Sequence, residues 1–395
     1  TAPIFYLSYN YLGDESFMKG KDLKRHTLRF NLDQQPCKFV KYGINTSFSY
    51  TVTNNGAGGG YFNDPLTQVY MMNPMTGVYD ENGDFNFDTS TQYNPVALRS
   101  KLGDKNEAKQ YQATVSPYVQ LNILPGLTWM TKGGLDLYYV DEYEFWSFLN
   151  PQGKSQNGYG ANFSNMRSLL TITNTLNYIK TFGEKHHLNV LLGQEGQQTS
   201  IRREDMENSN FPVQNPGQLS LASVPGSAKT YKFKLVQNSF FSNLQYDYDN
   251  KYYVSASFRT DGSSRFGKDH RWASFWSVGA KYRITEEKFM EAAKSWLTDL
   301  TIRGSYGTTG NQDVGDHTNA DYLSWIVARD VFGYGYNYNG KPGSGHEQFG
   351  NPDLKWEKTG KFNVGIDATF LDRIFFTFDY YNHKTTDMVF AVPVS

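Results

Sequence analysis

The side chains best able to do chemistry in this chain are its clustered carboxylates, its seven histidines and its glycine-rich stretches. The run "DENGDFNFD" at 80–88 offers oxygen ligands to a calcium ion, but glycine follows the second ligand position instead of the third, which breaks the EF-hand order. His26, His186, His187, His270, His317, His346 and His383 show no metal-ligand spacing, and His186 and His187 fall in an expected short turn where solvated side chains are the default. "NNGAGGG" at 54–60 has the glycines of a phosphate loop without the Lys-Ser or Lys-Thr, and no helix is expected after it. There is no Gly-x-Ser-x-Gly elbow and no Ser, His and acid set near recognisable strand ends. The chain reads as a non-enzyme, with no catalytic set, metal or cofactor.

Binding chemistry is better represented. "YYVDEYEFWSF" at 138–148 and "YLSWIVARDVFGYGYNYNG" at 322–340 set aromatics among Asp, Asn and Gly. Aromatic faces stack on sugar rings or peptide side chains, while amides and carboxylates take hydroxyls. Tyr143, Trp146, Tyr322, Trp325, Phe332, Tyr334, Tyr336 and Tyr338 are therefore candidates to touch a substrate or a covering partner. The alternative, that they pack loops against one another, stays open. In "SFRTDGSSRFG" at 257–267, Asp261 and Gly262 are expected to make a turn, with Arg259 and Arg265 paired to nearby acids. Asn311 and Gln312 are expected to clamp backbone in a glycine turn at 306–315.

Composition limits what positions these groups. The 395 residues hold 29 Tyr and 28 Phe, yet mean hydropathy is −0.60, which favours β-structure over Leu-rich helical core. A net charge of −1 with scattered Lys and Arg excludes a nucleic-acid footprint. One cysteine, Cys37, makes no intrachain disulfide and no zinc cluster. No run of about 18 apolar residues marks a transmembrane helix.

Apolar and polar residues alternate along most of the chain. Tyr252, Val254, Ala256 and Phe258 share one parity against Ser255, Ser257 and Arg259, and Phe362, Val364, Ile366, Ala368 and Phe370 oppose Lys361, Asn363 and Asp367. The pattern predicts roughly 13 strands of about 9 to 17 residues, enough to cross a bilayer at a tilt. Short turns at 31–38, 122–127, 180–186, 247–251 and 371–373 alternate with long connections at 53–107, 139–165, 196–232 and 308–353. In an up-and-down meander alternate connections lie at the same end, so one end is trimmed and the other carries nearly all the irregular chain. The last long connection holds six acids against two bases, a charge of −4 that disfavours an anionic substrate. A single helix is expected at 285–297, capped by Thr285. Alternation also suits a soluble sandwich, but the long strands, lopsided loops and aromatics at strand ends favour a membrane barrel.

Six motifs carry a family resemblance in order: "DLKRHTLRFNLDQQ" at 22–35, "ILPGLTWMTKGGLD" at 123–136, "YYVSASFRTDGSSRFGKDHRWASFWSVGAKYRITEEKFM" at 252–290, "WLTDLTIRGSYGTTGNQ" at 296–312, "NPDLKWEKT" at 351–359 and "FDYYNHKTTDMV" at 378–389. Together they resemble the SusC/RagA family of TonB-dependent outer-membrane transporters. The resemblance implies an all-β fold, a segment of a large antiparallel transmembrane barrel of about 22 strands. It also implies long extracellular loops, short periplasmic turns and a seat in the outer membrane of a Gram-negative bacterium, among its lipid. Residues 1–395 are expected to form part of that one barrel domain, with the plug, the TonB box and the C-terminal strands absent from this chain. The implied function is import of an oligosaccharide or oligopeptide with a SusD-like lipoprotein, energised by the TonB complex through the missing N-terminal part. A surface or secreted β-rich glycan- or peptide-binding protein without transport is the alternative.

Overall fold

A computed structural model describes residues 2–55, 65–88, 91–214, 217–313 and 326–390. The chain runs up and down through β1 (Ile4–Glu15), β2 (Asp22–Gln34), β3 (Val40–Asn54), β4 (Lys105–Leu124), β5 (Leu127–Trp146), β6 (Tyr159–Phe182), β7 (His186–Ser209), β8 (Val224–Tyr248), β9 (Tyr252–Ser263), β10 (Trp272–Arg283) and β11 (Leu297–Asn311). A hairpin of β12 (Val331–Tyr338) and β13 (Lys341–Gln348) then stands apart, and β14 (Glu357–Phe370) and β15 (Ile374–Thr386) complete the main sheet. That sheet has 13 antiparallel strands in chain order, with β14 beside β11, and matches the expected count. Short helices α1 (Pro65–Met71), α2 (Pro95–Leu98) and α3 (Pro151–Ser155) lie in the long connections.

Register converts the sequence alternation into two continuous faces. Val254 stands opposite Ala280, Phe258 opposite Trp276, Tyr306 opposite Phe362 and Ile366 opposite Phe378, so apolar rows run unbroken from strand to strand. These residues are not covered: Val254 is 50% exposed and Ile366 37%. A soluble sandwich would bury this face. One row of polar side chains that crosses it is linked internally. Thr131 donates to Asn174 (2.8 Å), Asn174 to Gln194 (2.9 Å) and Gln194 to Asn238 (3.0 Å), a ladder across β5–β8.

Aromatics mark the two margins of the apolar band. At the trimmed end His186, Tyr248, Tyr252 and Tyr282 follow one another at centroid spacings of 4.8, 6.3 and 5.0 Å, the last two pairs stacked. Toward the other end Tyr50, Tyr111 and Tyr139 are spaced at 4.9 and 6.1 Å, and Phe240 stacks on Trp272 at 6.3 Å. The trimmed-end turns are tight because their residues accept left-handed backbone. Gly126 has φ +84 and would place a Cβ 2.1 Å from the Ile179 carbonyl oxygen, so no other residue fits.

Four expectations are corrected. The strands β6, β7 and β8 run 24, 24 and 25 residues, longer than expected, and absorb most of the connections at 139–165 and 196–232. Polar alternation continues there, and neighbours keep pairing in water beyond the apolar band. The stretch 285–297 forms 3₁₀ turns at Ile284–Glu286 and Lys288–Ala293 instead of one helix. Thr285 does not cap it: its hydroxyl is buried, accepts from Leu300 N (3.2 Å) and donates to Asp299 (3.4 Å), which ties the segment to β11. Asp261 and Gly262 lie inside β9 opposite Ala273 and Trp272, and the turn follows at 264–271. The glycines at 306–310 likewise continue β11, where close neighbours cover them: a Cβ on Gly307 would meet Ser277 Cβ at 2.5 Å and one on Gly310 the Phe275 ring at 2.1 Å.

The face assignment gives an expected outcome. Ala256→Arg, on the apolar face about midway between the aromatic margins, should cost about 2 to 4 kcal/mol of barrel stability and Ser257→Arg little in a wet interior. Heat-modifiable gel mobility of the assembled barrel compares the two, and equal behaviour would refute the faces.

Candidate functional site

The polar face is laid out as a charged wall. Arg303 on β11 donates from Nε to Asp367 (2.9 Å) and pairs with Asp379 on β15 (2.7 Å), so three strands share one ion cluster. Ser257 and Ser277 hydroxyls are 2.6 Å apart, Thr173 donates to Glu195 (3.0 Å), and Lys281 sits 4.5 Å above the Tyr253 ring. A hollow of about 620 Å³ opens on this face near the trimmed end, lined by His187, Asp247, Tyr253, Lys281, Arg303 and Asn363.

Two packed clusters fix the connections at the elaborated end. In the first, Asp104 accepts from Ser147 N (2.7 Å) and from Asn150 Nδ2 (2.6 Å), fastening the end of the β3–β4 connection to the loop after β5. Burial pushes the Asp104 carboxyl above the usual carboxylate range, against the donations from Ser147 and Asn150. Phe211, from the loop after β7, packs edge-on against Phe145 at 5.4 Å. Asn94 caps α2 by accepting from Val96 N and Ala97 N, both at 3.0 Å. In the second cluster Phe266, Ala273, Phe275, Leu354 and Trp356 form a small buried core joining the β9–β10 turn to the segment before β14.

The sequence-selected residues divide between these features. Arg259 donates to Asp261 (2.7 Å) and Ser239 (3.1 Å) and lies 5.5 Å from the Phe241 ring on the polar face. Arg265 is buried and reaches Asp313 (3.1 Å) across the mouth, not the acids of its own turn. Asn311 accepts from Asp313 N (2.9 Å), a local backbone clamp, whereas Gln312 donates to the Gln237 side chain (3.3 Å). Tyr143 and Trp146 belong to β5, not a loop, and the strand's alternation sets them on opposite faces. Trp146 packs against Tyr159 at 4.3 Å and donates to Glu144 (2.7 Å). Tyr143 is half-buried.

Phe332, Tyr334, Tyr336 and Tyr338 lie on β12, while Tyr322 and Trp325 fall outside the described residues. Phe332 and His346 are 4.3 Å apart and His346 stacks on Phe349 at 4.6 Å. Tyr336 overlies Gly345, and Tyr338 is 87% exposed. The hairpin was not expected, although its signal is present: aromatics at every second residue, then Asn339 and Gly340 at φ 50 and 75. Asp104, Phe211 and Trp356 carry no local signal, since their partners lie far away in sequence.

The oxygen-rich stretch at 80–88 is engaged in local turns. Asp80 accepts from Asn82 N (2.9 Å) and Asp84 N (3.0 Å), and Asp88 accepts from Asn73 N (3.1 Å) and Thr76 Oγ1 (2.9 Å). Among the described residues no three His, Cys, Asp or Glu side chains are grouped to hold a metal.

Comparison with known proteins bears on both wall and mouth. Residues 41–395 match the family described as TonB dependent receptor-like, beta-barrel. TonB-dependent receptor P39 of Formosa agariphila is 28% identical over 99% of this chain and 36% of its own length. TonB-dependent receptor SusC of Bacteroides thetaiotaomicron is 28% identical over 99% of this chain and 40% of its own length. This chain thus spans about two fifths of these curated relatives. The structure of the RagAB peptide transporter superposes with a TM-score of 0.81 at 25% identity, covering 100% of this chain and 44% of that one.

Asp104→Ala leaves the Ser147 amide and the Asn150 side chain without their acceptor, a loss of about 1 to 3 kcal/mol in the loop clasp. Limited proteolysis should then cut within 147–158 faster while the sheet stays intact. Unchanged cleavage would show that the clasp does not hold the loop.

Proposed function

Because the chain belongs to the TonB-dependent receptor-like β-barrel family of the outer membrane, we propose that it forms wall and mouth of an energy-coupled importer of oligomeric nutrients, glycan or peptide. One observation carries the reading: a single continuous sheet whose exposed face is apolar between two aromatic margins and whose other face is charged and hydrogen-bonded. Such a sheet separates lipid from water, which a wall around an aqueous passage must do. The trimmed end faces the periplasm and the elaborated end the outside. TonB acts through a part of the protein outside this chain, and a SusD-like lipoprotein covers the mouth.

The β12–β13 hairpin is the contact surface in this reading. A two-stranded hairpin is marginal alone, and exposed Phe332, Tyr336, Tyr338 and Phe349 give it more apolar surface than a solvated loop needs. Its rings suit stacking on sugars or side chains of a neutral or cationic oligomer, or on the lid itself. Tyr143, Trp146, Tyr322, Trp325 and Tyr334 are further contact candidates. The Arg259, Asp261, Gly262 and Arg265 set, with Asn311 and Gln312, frames the mouth.

Replacing Phe332, Tyr336 and Tyr338 by Ala should leave the barrel assembled and weaken substrate capture or lid docking by roughly 1 kcal/mol or more per true hot spot. Uptake of the native oligomer and co-purification of the lipoprotein are the readouts. If both stay at wild-type level, the rings only pack the hairpin. Orientation is tested separately. Cys37 is exposed in the β2–β3 turn, so a membrane-impermeant thiol reagent should miss it on intact cells. With Cys37 changed to Ser, Lys154→Cys should label on intact cells and Lys185→Cys only after permeabilisation, and the reverse pattern would invert the topology.

A further inference from the structure

The outer face of β7 and β8 carries a cation cluster that the import reading does not use. Lys232 stands directly opposite Arg202, and Lys234 lies one step nearer the apolar band on the same face as Val236, Phe240 and Leu244. Arg202 is engaged by Glu204, with Nε donating at 2.8 Å. Lys232 and Lys234 are exposed and have no ion pair among the described residues. Like charges directly opposite on an antiparallel pair repel each other. Glu204 balances Arg202, so Lys232 and Lys234 are left as two neighbouring positive charges on this face with no anion of the protein paired to them among the described residues.

Strand geometry gives the height. From Tyr248 in the trimmed-end girdle to Lys234 the strand rises roughly 45 Å, or about 35 Å along the bilayer normal at a tilt near 40°. The apolar band of such a barrel is about 25 Å tall, so Lys234 and Lys232 clear it by roughly 10 Å or slightly more. This is the layer of phosphates and sugars, not of acyl chains. Beneath the lysines, exposed Val236 and the stacked Phe240 and Trp272 supply an apolar surface. The same order recurs across the wall, where exposed Lys358 on β14 and Lys384 on β15 stand above Phe362 and Tyr380 on the apolar face.

We propose that Arg202, Lys232 and Lys234 form a binding site for the phosphate of an outer-leaflet glycolipid, whose acyl chains lie along Val236 and the Phe240 and Trp272 rings. The ligand is defined by its chemistry: an anionic phosphate on a sugar headgroup, joined to hydrocarbon. The proposal rests on the orientation given above. The cysteine-labelling experiment decides that orientation without involving these residues.

The test uses the full-length protein, extracted in mild detergent and examined by native mass spectrometry for retained lipopolysaccharide. The Lys232→Glu, Lys234→Glu double variant should retain roughly tenfold less than wild type, or lower still, by the attraction expected of each lysine. Lys229→Glu, on the polar-face parity of β8, should retain the wild-type amount. A Lys232→Gln, Lys234→Gln variant stands in if the Glu variant fails to assemble by heat-modifiable mobility. Re-addition of purified lipopolysaccharide to delipidated wild type should restore binding, and dephosphorylated lipopolysaccharide should not. Equal retention by wild type and an assembled lysine variant would overturn the proposal. So would equal binding of the dephosphorylated form, or of phosphatidylglycerol vesicles or inorganic phosphate in place of the glycolipid.

Discussion

Hydrocarbon offers no hydrogen bonds to a peptide group, and every other feature of this wall answers to that constraint. The solution here is an antiparallel ladder running in chain order from β1 to β11 and on through β14 and β15. Each strand between the two edges, β1 and β15, is satisfied on both sides by its neighbours, so it needs no water at mid-bilayer. The ladder also fixes side-chain direction: once backbones pair in register, odd and even residues of all strands sort onto two faces. The apolar face needs no partner protein because lipid covers it, which is why the buried hydrophobic cluster among the described residues is small.

The two faces treat polar groups differently. On the apolar face a row of polar side chains, Thr131, Asn174, Gln194 and Asn238, is linked by hydrogen bonds from each to the next. A single amide there would have to be desolvated without compensation. On the wet face, charge is tolerated and used across strands, as where Arg303 joins Asp367 and Asp379. Water screens such pairs, so their contribution is better seen as order in the wall than as stability.

Above the band the constraint lapses, and the molecule builds a mouth by ordinary soluble-protein means. Strands β5–β8 keep pairing into water, and their loops are then fastened by one buried carboxylate, Asp104, and by ring packing at Phe145 and Phe211. The Phe266, Phe275 and Trp356 cluster does the same on the other side. These clusters leave the β12–β13 hairpin standing apart as a separate sheet, with its rings exposed.

The faces, the strand count and the alternation of tight and long connections were determined by the sequence alone, because a period of two and a turn of left-handed residues are local properties. Val254 against Ser255 and Ile366 against Asp367 needed no more than parity. The β12–β13 hairpin was legible too, in Asn339 and Gly340 after alternating aromatics, and was missed because the surrounding connection reads as loop. Other features were decided only by the tertiary structure. Asp261 and Gly262 look like a turn, but a Trp272 ring across the strand pair covers Gly262 and keeps it in β9. Thr285 looks like a helix cap, yet β11 claims its hydroxyl. The partner of Arg265 is Asp313 and that of Asp104 is Ser147, neither nearby in sequence. Local patterns set which way a side chain points. What it meets there depends on which distant strand the sheet has brought alongside, and that is a property of register, not of any single stretch of sequence.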